Sequence, residues 1–352
     1  MQTDLNLTAY DRDKTYEWNY HNVPDPVEME IPDVPGEWEF CGLPLNSPLG
    51  IPAGPLLNGR WVLYYASLGF DMLTYKTVRS VYRECYRLPN LVPVVNKPLS
   101  GSERDISVNE TMQGSWAISY GMPSMEPDDW RADVAWTRKH LPKHSILSVS
   151  VVGTMQEGWS LDDLADDYAR CASWAVESGA DCVETNLSCP NVSSRDGQLY
   201  QQPQSAKIVV QRVRDAIGSV PYILKIGHID SLAEAEKLVA VLAPFVDAIA
   251  MPNCLQARVA DDTGKHLFDG QLRGIGGNAI RDASIAQIQL FHNCIRRDKL
   301  PLQLIGVGGI TTAGDVHKYL AAGAQAVHVA TAAMVDPAVG IRIRKELAEF
   351  KR

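Results

Sequence analysis

Near the middle of the chain runs Glu184-Thr-Asn-Leu-Ser-Cys-Pro-Asn191, which sets two carboxamides, Asn186 and Asn191, on either side of the thiol of Cys189. Each carboxamide offers a donor and an acceptor, so the pair suits a planar polar ring. A thiol, with an ordinary pKa of about 8.5, becomes a proton acceptor where its surroundings help to ionise it. The bland reading of the same run is a polar turn that caps a strand. Lys76 and Lys225 lie inside otherwise apolar runs. A buried lysine is costly unless paired, so both are site candidates. For Lys225 a Schiff-base nucleophile and a plain surface cation stay open beside a fixed charge. Gly308-Gly309 ends an apolar run and precedes a helical segment opening at Thr312. Glycines there let backbone N–H groups approach a phosphate, helped by a helix N-terminus; an ordinary strand-to-helix turn is the alternative. Thr331 could add a hydroxyl. The eight histidines are scattered, with no pair at metal-ligand spacing, and no two cysteines form Cys-x-x-Cys. A metal site and a bound iron–sulfur cluster are therefore not expected.

The elements that must hold these residues are short apolar runs alternating with amphipathic stretches. The runs are Leu49–Gly54, Met72–Thr77, Ile146–Val152, Cys182–Leu187, Tyr222–Gly227, Ala248–Pro252, Leu302–Val307 and Ala326–Ala330. Most are unbroken rather than alternating, as parallel strands covered on both faces are. Between them lie helical segments. One opens with Ser160-Leu-Asp-Asp163, a capping-box pattern, and closes at Ser178-Gly179; others begin near Ser205, Ser231, Asp282, Thr312 and Asp336. Eight strands alternating with helices predict an α/β fold of the (β/α)8 TIM-barrel type, with a doubly wound open sheet as the alternative. Val78 to Ser145 and Asn253 to Ala279 are too long for plain crossovers and fall after strands, so they read as inserts at the C-terminal face of the strands, where a barrel builds its site. Residues 1–40 are polar, proline-interrupted and rich in Tyr and Trp, and read as an N-terminal arm packed on a barrel of residues 41–352.

Composition narrows the functions. The 352 residues carry 33 basic and 42 acidic side chains, a formal charge of −9. Such a chain is a poor nucleic-acid or anionic-membrane binder. No window nears the ~18 uninterrupted apolar residues of a membrane span. The N-terminal run Met1–Lys14 lacks the build of a secretory signal. Seven cysteines, an odd number, read as free thiols in a reducing compartment, hence a cytoplasmic protein.

Asn186-Leu-Ser-Cys-Pro-Asn191 resembles the active-site motif of the cytosolic (class 1) dihydroorotate dehydrogenases, FMN-dependent barrels whose membrane-associated class carries serine at the cysteine position. Further motifs agree in order: Leu49–Gly54 with Asn58-Gly59, Thr74–Thr77, Leu224–Ile226, Gly274–Gly277, Gly306–Ile310 and Ala330-Thr331. The resemblance runs from about Cys41 to Arg352. It implies Cys189 as the catalytic base. It implies flavin contacts at Ala53, Gly54, Lys76, Thr77, Ser150, Asn186, Lys225 and Cys254, and phosphate contacts at Gly276, Gly277, Gly308, Gly309, Ala330 and Thr331. Substrate would meet Lys76, Gly121, Met122, Asn186, Asn191 and Asn253. The default reaction is dihydroorotate to orotate, oxidising a C–C bond next to a carbonyl; another cyclic amide, or a flavin-free barrel lyase or aldolase using Lys225, are the alternatives. A homodimer is implied, and the electron acceptor is not readable. The family's substrate loop, Asn-Ser-Met-Gly-Leu-Pro-Asn, aligns with Ile118-Ser-Tyr-Gly-Met-Pro-Ser124, which puts a side chain without hydrogen-bonding capacity at the asparagine. Cys254 stands where the family has serine, and Ala330 where glycine is common.

Overall fold

The computed structural model describes residues 7–188 and 195–349. Eight strands close into a barrel: β1 (Leu49–Ile51), β2 (Met72–Val78), β3 (Ile146–Val151), β4 (Cys182–Asn186), β5 (Tyr222–Lys225), β6 (Ala248–Met251), β7 (Gln303–Val307) and β8 (Ala326–His328). Every strand pairs in parallel with its chain neighbour, and β8 returns to β1 through Val327↔Leu49 and His328↔Gly50. Each is followed by a helix: α1 (Gly59–Ala66), α2 (Pro127–His140), α3 (Leu161–Glu177), α4 (Pro203–Ile217), α5 (Leu232–Leu242), α6 (Arg281–Arg297), α7 (Ala313–Ala322) and α8 (Val339–Glu349). This is the (β/α)8 barrel, and the open sheet is excluded by closure. The eight apolar runs became the eight strands: six end one to three residues earlier, Met72–Thr77 extends to Val78, and Leu302–Val307 starts one residue later. Ser160 and Asp163 form the reciprocal capping box at the start of α3, and Thr312 and Asp315 form another at α7.

Two things were not foreseen. Helix α2 sits inside the long interval after β2. Its signals are present in the sequence: Pro127 at the first helical position, Asp128 and Asp129 in the first turn, and Arg138, Lys139 and His140 in the last. The two inserts also build one shared five-stranded sheet, in the order Leu91–Pro93, Ser115–Ile118, Arg273–Gly277, Leu255–Ala260, Asp105–Ser107. Strands from intervals so far apart in sequence pair by register alone, which no local pattern announces. The glycine-rich run Gly274–Gly277 belongs to this sheet, with Gly276 opposite Trp116.

Side chains two apart along a strand point to the same face, so the barrel interior is built in layers. Met72, Ile146, Cys182, Ile223, Ala248, Ile305 and Ala326 form an apolar floor, sealed from below by Phe40 and Leu45 of the hairpin Trp38–Phe40/Leu43–Leu45. Two residues further along come Thr74, Ser148, Glu184 and His328, all buried; further still come Lys76, Ser150, Asn186 and Lys225. Polarity thus rises from floor to mouth. The N-terminal segment lies along α1: Tyr64 Oη donates to Thr8 O at 3.0 Å, Trp61 Nε1 to Asn19 O at 3.0 Å and Asn58 Nδ2 to Tyr20 O at 2.7 Å. Among the described residues no helix is long and apolar enough to cross a membrane.

The chain's far ends meet at one buried ion pair. Arg344 of α8 donates Nε to Gly69 O at 2.7 Å and Nη1 to Pro32 O at 2.9 Å, and Nη2 faces the Asp71 carboxylate. Removing one member of such a pair strands the other charge in apolar surroundings. Arg344→Met is expected to lower unfolding free energy by about 3–5 kcal/mol, read as a fall in the urea midpoint; a loss below about 1 kcal/mol would place the pair among solvated ones.

Candidate active site

The C-terminal ends of the strands surround a cavity of about 120 Å³. Its walls are Pro52, Gly54, Lys76, Thr77, Ile118, Tyr120, Met122, Asn186, Lys225, Asn253, Cys254, Val307 and Ala330. Residues singled out from sequence on seven different segments therefore face one space. Ser150 stands just behind, its hydroxyl 3.0 Å from that of Thr77, and Ala53 is buried beside Gly54. Cys189 and Asn191 lie outside the described residues. A larger hollow, about 490 Å³, opens among Leu99, His228, Asp282, Gln287 and Leu290. It holds none of the singled-out residues, so the barrel mouth is the better site.

Lys225 reaches the cavity from β5 with its Nζ 4.0 Å from Glu184 Oε1, and both side chains are buried. Neither Glu184 oxygen has a hydrogen bond, so this ion pair is what answers its charge. The pairing suits a fixed cation better than a free amine nucleophile, which weighs against the aldolase reading. His328 lies in the same layer, fully enclosed, with neither ring nitrogen hydrogen-bonded. Burial, and secondarily the Lys225 charge, push its pKa down to about 3. Glu184 and His328 were not singled out beforehand; an acid and an imidazole inside apolar strands were the available signals.

The approach to residue 189 is held from two sides. Asn186 Oδ1 accepts from Ser188 N at 3.1 Å, and Asn253 Nδ2 donates to Ser188 O. The Asn186 amide also reaches Met122 Sδ at 3.6 Å. Beside it, Gly121 and Met122 both have left-handed backbone, φ 75° and 54°. A Cβ at Gly121 would lie 2.6 Å from the Tyr86 ring, so only glycine fits there. Arg79 Nε holds Met122 O at 3.2 Å, and Arg273 Nε holds Ser119 Oγ at 2.8 Å.

Gly276, Gly309 and Thr331 converge on the other side of the mouth. A Cβ at Gly276 would sit 3.4 Å from Thr331 Oγ1, and one at Gly309 would sit 3.1 Å from Gly277 O. Gly277, Gly308 and Gly309 all have positive φ. One expectation needs correction: the helix after Gly309 has no free N-terminus. Asp315 accepts from Thr311 N at 3.1 Å and Thr312 N at 3.2 Å, and Glu346 accepts from Ala313 N at 2.7 Å. Two carboxylates already satisfy those amides, which leaves the glycine turns and Thr331 as the groups available to an anion.

The family model for dihydroorotate dehydrogenase matches residues 37–350. The chain belongs to the dihydroorotate dehydrogenase family. The dihydroorotate dehydrogenase of Dictyostelium discoideum is 30% identical over 365 residues, covering 97% of this chain and 98% of its own. The catalytic subunit of dihydroorotate dehydrogenase B (NAD(+)) from Desulforudis audaxviator is 29% identical over 316 residues, 88% of this chain and 91% of its own. Among solved structures, the DHODH of Eimeria tenella in complex with ferulenol superposes with a TM-score of 0.71 at 18% identity, covering 92% of this chain and 86% of that one; at this identity the likeness concerns the fold. Dihydroorotate dehydrogenases are flavin-dependent oxidoreductases acting on CH–CH groups, and this chain is a dihydroorotate dehydrogenase-like oxidoreductase.

His328 gives this family member a pH signature. Its folded pKa lies below the unfolded one, so between pH 6.5 and about 3 the unfolded chain binds a proton that the native barrel refuses. Its contribution to stability is complete above pH 6.5 and drains away as pH falls toward 3. His328→Gln is expected to flatten the acid limb of the stability profile, by roughly 3 kcal/mol between pH 6.5 and about 4. Urea unfolding at several pH values checks this; parallel wild-type and variant profiles would refute it.

Proposed function

We propose that the chain is an FMN-dependent dehydrogenase that oxidises dihydroorotate to orotate, with Cys189 as the base. One observation carries this reading: Gly54, Lys76, Thr77, Met122, Asn186, Lys225, Asn253, Cys254 and Ala330, each singled out from sequence, line a single cavity at the strand ends. The residues fit a phosphorylated flavin. A Cβ at Gly54 would meet nothing within 4 Å, so the end of β1 presents bare backbone to open space, and the Gly276–Thr331 gap is one that a Cβ would close. Gly276, Gly277, Gly308, Gly309, Ala330 and Thr331 would hold the phosphate, through backbone N–H groups and one hydroxyl. Ala53, Gly54, Lys76, Thr77, Ser150, Asn186, Lys225 and Cys254 would frame the ring. When bound, the flavin supplies the two-electron acceptor.

The chain's own groups do the rest. Lys225, paired with Glu184, sets a positive charge at the cavity wall, where it would favour anionic charge on a neighbouring ring. Asn186, Asn191 and Asn253 would hold the amide edges of the substrate, with Gly121 and Met122 offering backbone N–H groups and Lys76 a cation. Cys189 would take the acidic proton from the carbon next to the carbonyl. Asn186 and Asn253, both bonded to Ser188, would set the direction of that turn. We read residues 1–40 as an arm on a barrel of residues 41–352, and the protein as a cytoplasmic homodimer, on family likeness.

The purified protein is expected to be yellow and to release FMN on denaturation; recovery of FAD alone, or of no flavin, overturns the cofactor. Anaerobic dihydroorotate is expected to bleach the bound flavin, and a panel of other cyclic dihydro-amides bleaching it faster would move the substrate. Cys189→Ala should retain flavin yet slow its reduction by ~10²–10⁴-fold near neutral pH, measured by stopped flow. An unchanged rate removes Cys189 from the base role.

A further inference from the structure

The substrate loop carries a ring at Tyr120 where the family pattern has methionine. Tyr120 lines the cavity and is 7% exposed. Its backbone is fixed from outside: Tyr86 N donates to Tyr120 O at 3.1 Å, and Ser119 N to Asn90 O at 2.8 Å. Its ring is met by the N-terminal arm. Tyr10 stands perpendicular to it, 6.2 Å between centroids at 90°, and Tyr16 meets it at 6.2 Å and 68°. Both are edge-to-face contacts of the favourable kind. The arm is itself clamped. Asn19 Oδ1 accepts from Asp11 N at 2.9 Å while its Nδ2 donates to Asp11 O at 2.8 Å, closing a loop between Tyr10 and Tyr16.

We propose that the arm is a specificity element, in which Tyr10 and Tyr16 act as positioning residues that hold the Tyr120 ring against the substrate cavity. The unusual ring and the arm belong together: a large aromatic in a loop needs faces to pack on, and the arm supplies two. Tyr120, Ile118 and Met122 then make the apolar part of a lining whose polar part is Lys76, Asn186, Lys225 and Asn253. This rests on the reading of the cavity as the dehydrogenase site, and it assigns the placing of the loop side of that cavity to residues before the barrel begins.

The test compares full-length, flavin-loaded wild type with Tyr10→Ala/Tyr16→Ala and Tyr10→Phe/Tyr16→Phe. The alanine pair is expected to raise KM for dihydroorotate by roughly tenfold, with kcat within about threefold, and the phenylalanine pair to restore wild-type KM because it restores both rings. In parallel, amide exchange over residues 119–123 should quicken roughly tenfold in the alanine pair while the barrel strands keep their protection. An unchanged KM, an unchanged loop exchange, or protection lost across the whole barrel each overturns the proposal. If the double alanine chain does not fold, Tyr16→Ala alone is read in the same way. If wild type is not reduced by dihydroorotate, the substrate reading fails, and loop exchange decides the arm's role by itself.

Discussion

A positive charge inside a closed barrel has to be answered from within the barrel. Lys225 reaches the mouth from a strand whose surroundings are otherwise apolar, and Glu184, one strand over, stands 4.0 Å away with no other bond. Taking two such ions out of water costs several kcal/mol each, and their attraction repays it only at close range. The rest of the interior follows from that requirement. The floor is purely apolar, the middle layer admits Thr74, Ser148, Glu184 and His328, and the mouth gathers the amides and lysines. A carboxylate lower in the stack would face hydrocarbon; one higher would face the cavity and repel an anionic ligand. A histidine kept neutral beside the lysine adds no second charge to the layer.

The mouth is not made by the barrel alone. One wall comes from the segment after Ser115–Ile118, and the glycine cradle comes partly from Arg273–Gly277, both strands of the insert sheet. A Cβ at Gly276 would come 3.2 Å from Ile118 Cδ1 and 3.4 Å from Thr331 Oγ1. Loop, sheet and barrel therefore meet at one point, and a change in the sheet's register would move both sides of the mouth together.

Much of this was legible in the sequence, for physical reasons. Unbroken apolar runs announce strands covered on both faces, and Ser160 with Asp163 announced the start of a helix by a local hydrogen-bond exchange that needs no tertiary context. The glycines were legible because a side chain would not fit: a Cβ at Gly277 would lie 2.0 Å from Gly114 O, and one at Gly309 2.6 Å from Arg281 Cβ. What escaped depends on distance. The insert sheet pairs Ser115–Ile118 with Arg273–Gly277, more than a hundred residues away. The arm's grip on Tyr120 joins Tyr10 and Tyr16 to a ring on the far side of β1 and β2. The capping of α7 was misjudged for the opposite reason: Asp315 was visible, yet Glu346, which shares the task, arrives from another helix.

The hairpin under the barrel has a plainer outcome. Phe40 and Leu45 stopper the lower end, and Cys41 N anchors the turn by donating to Gln303 Oε1 at 3.0 Å. With the axis corked, no molecule threads the barrel from end to end. Whatever occupies the mouth therefore enters and leaves at the C-terminal ends of the strands.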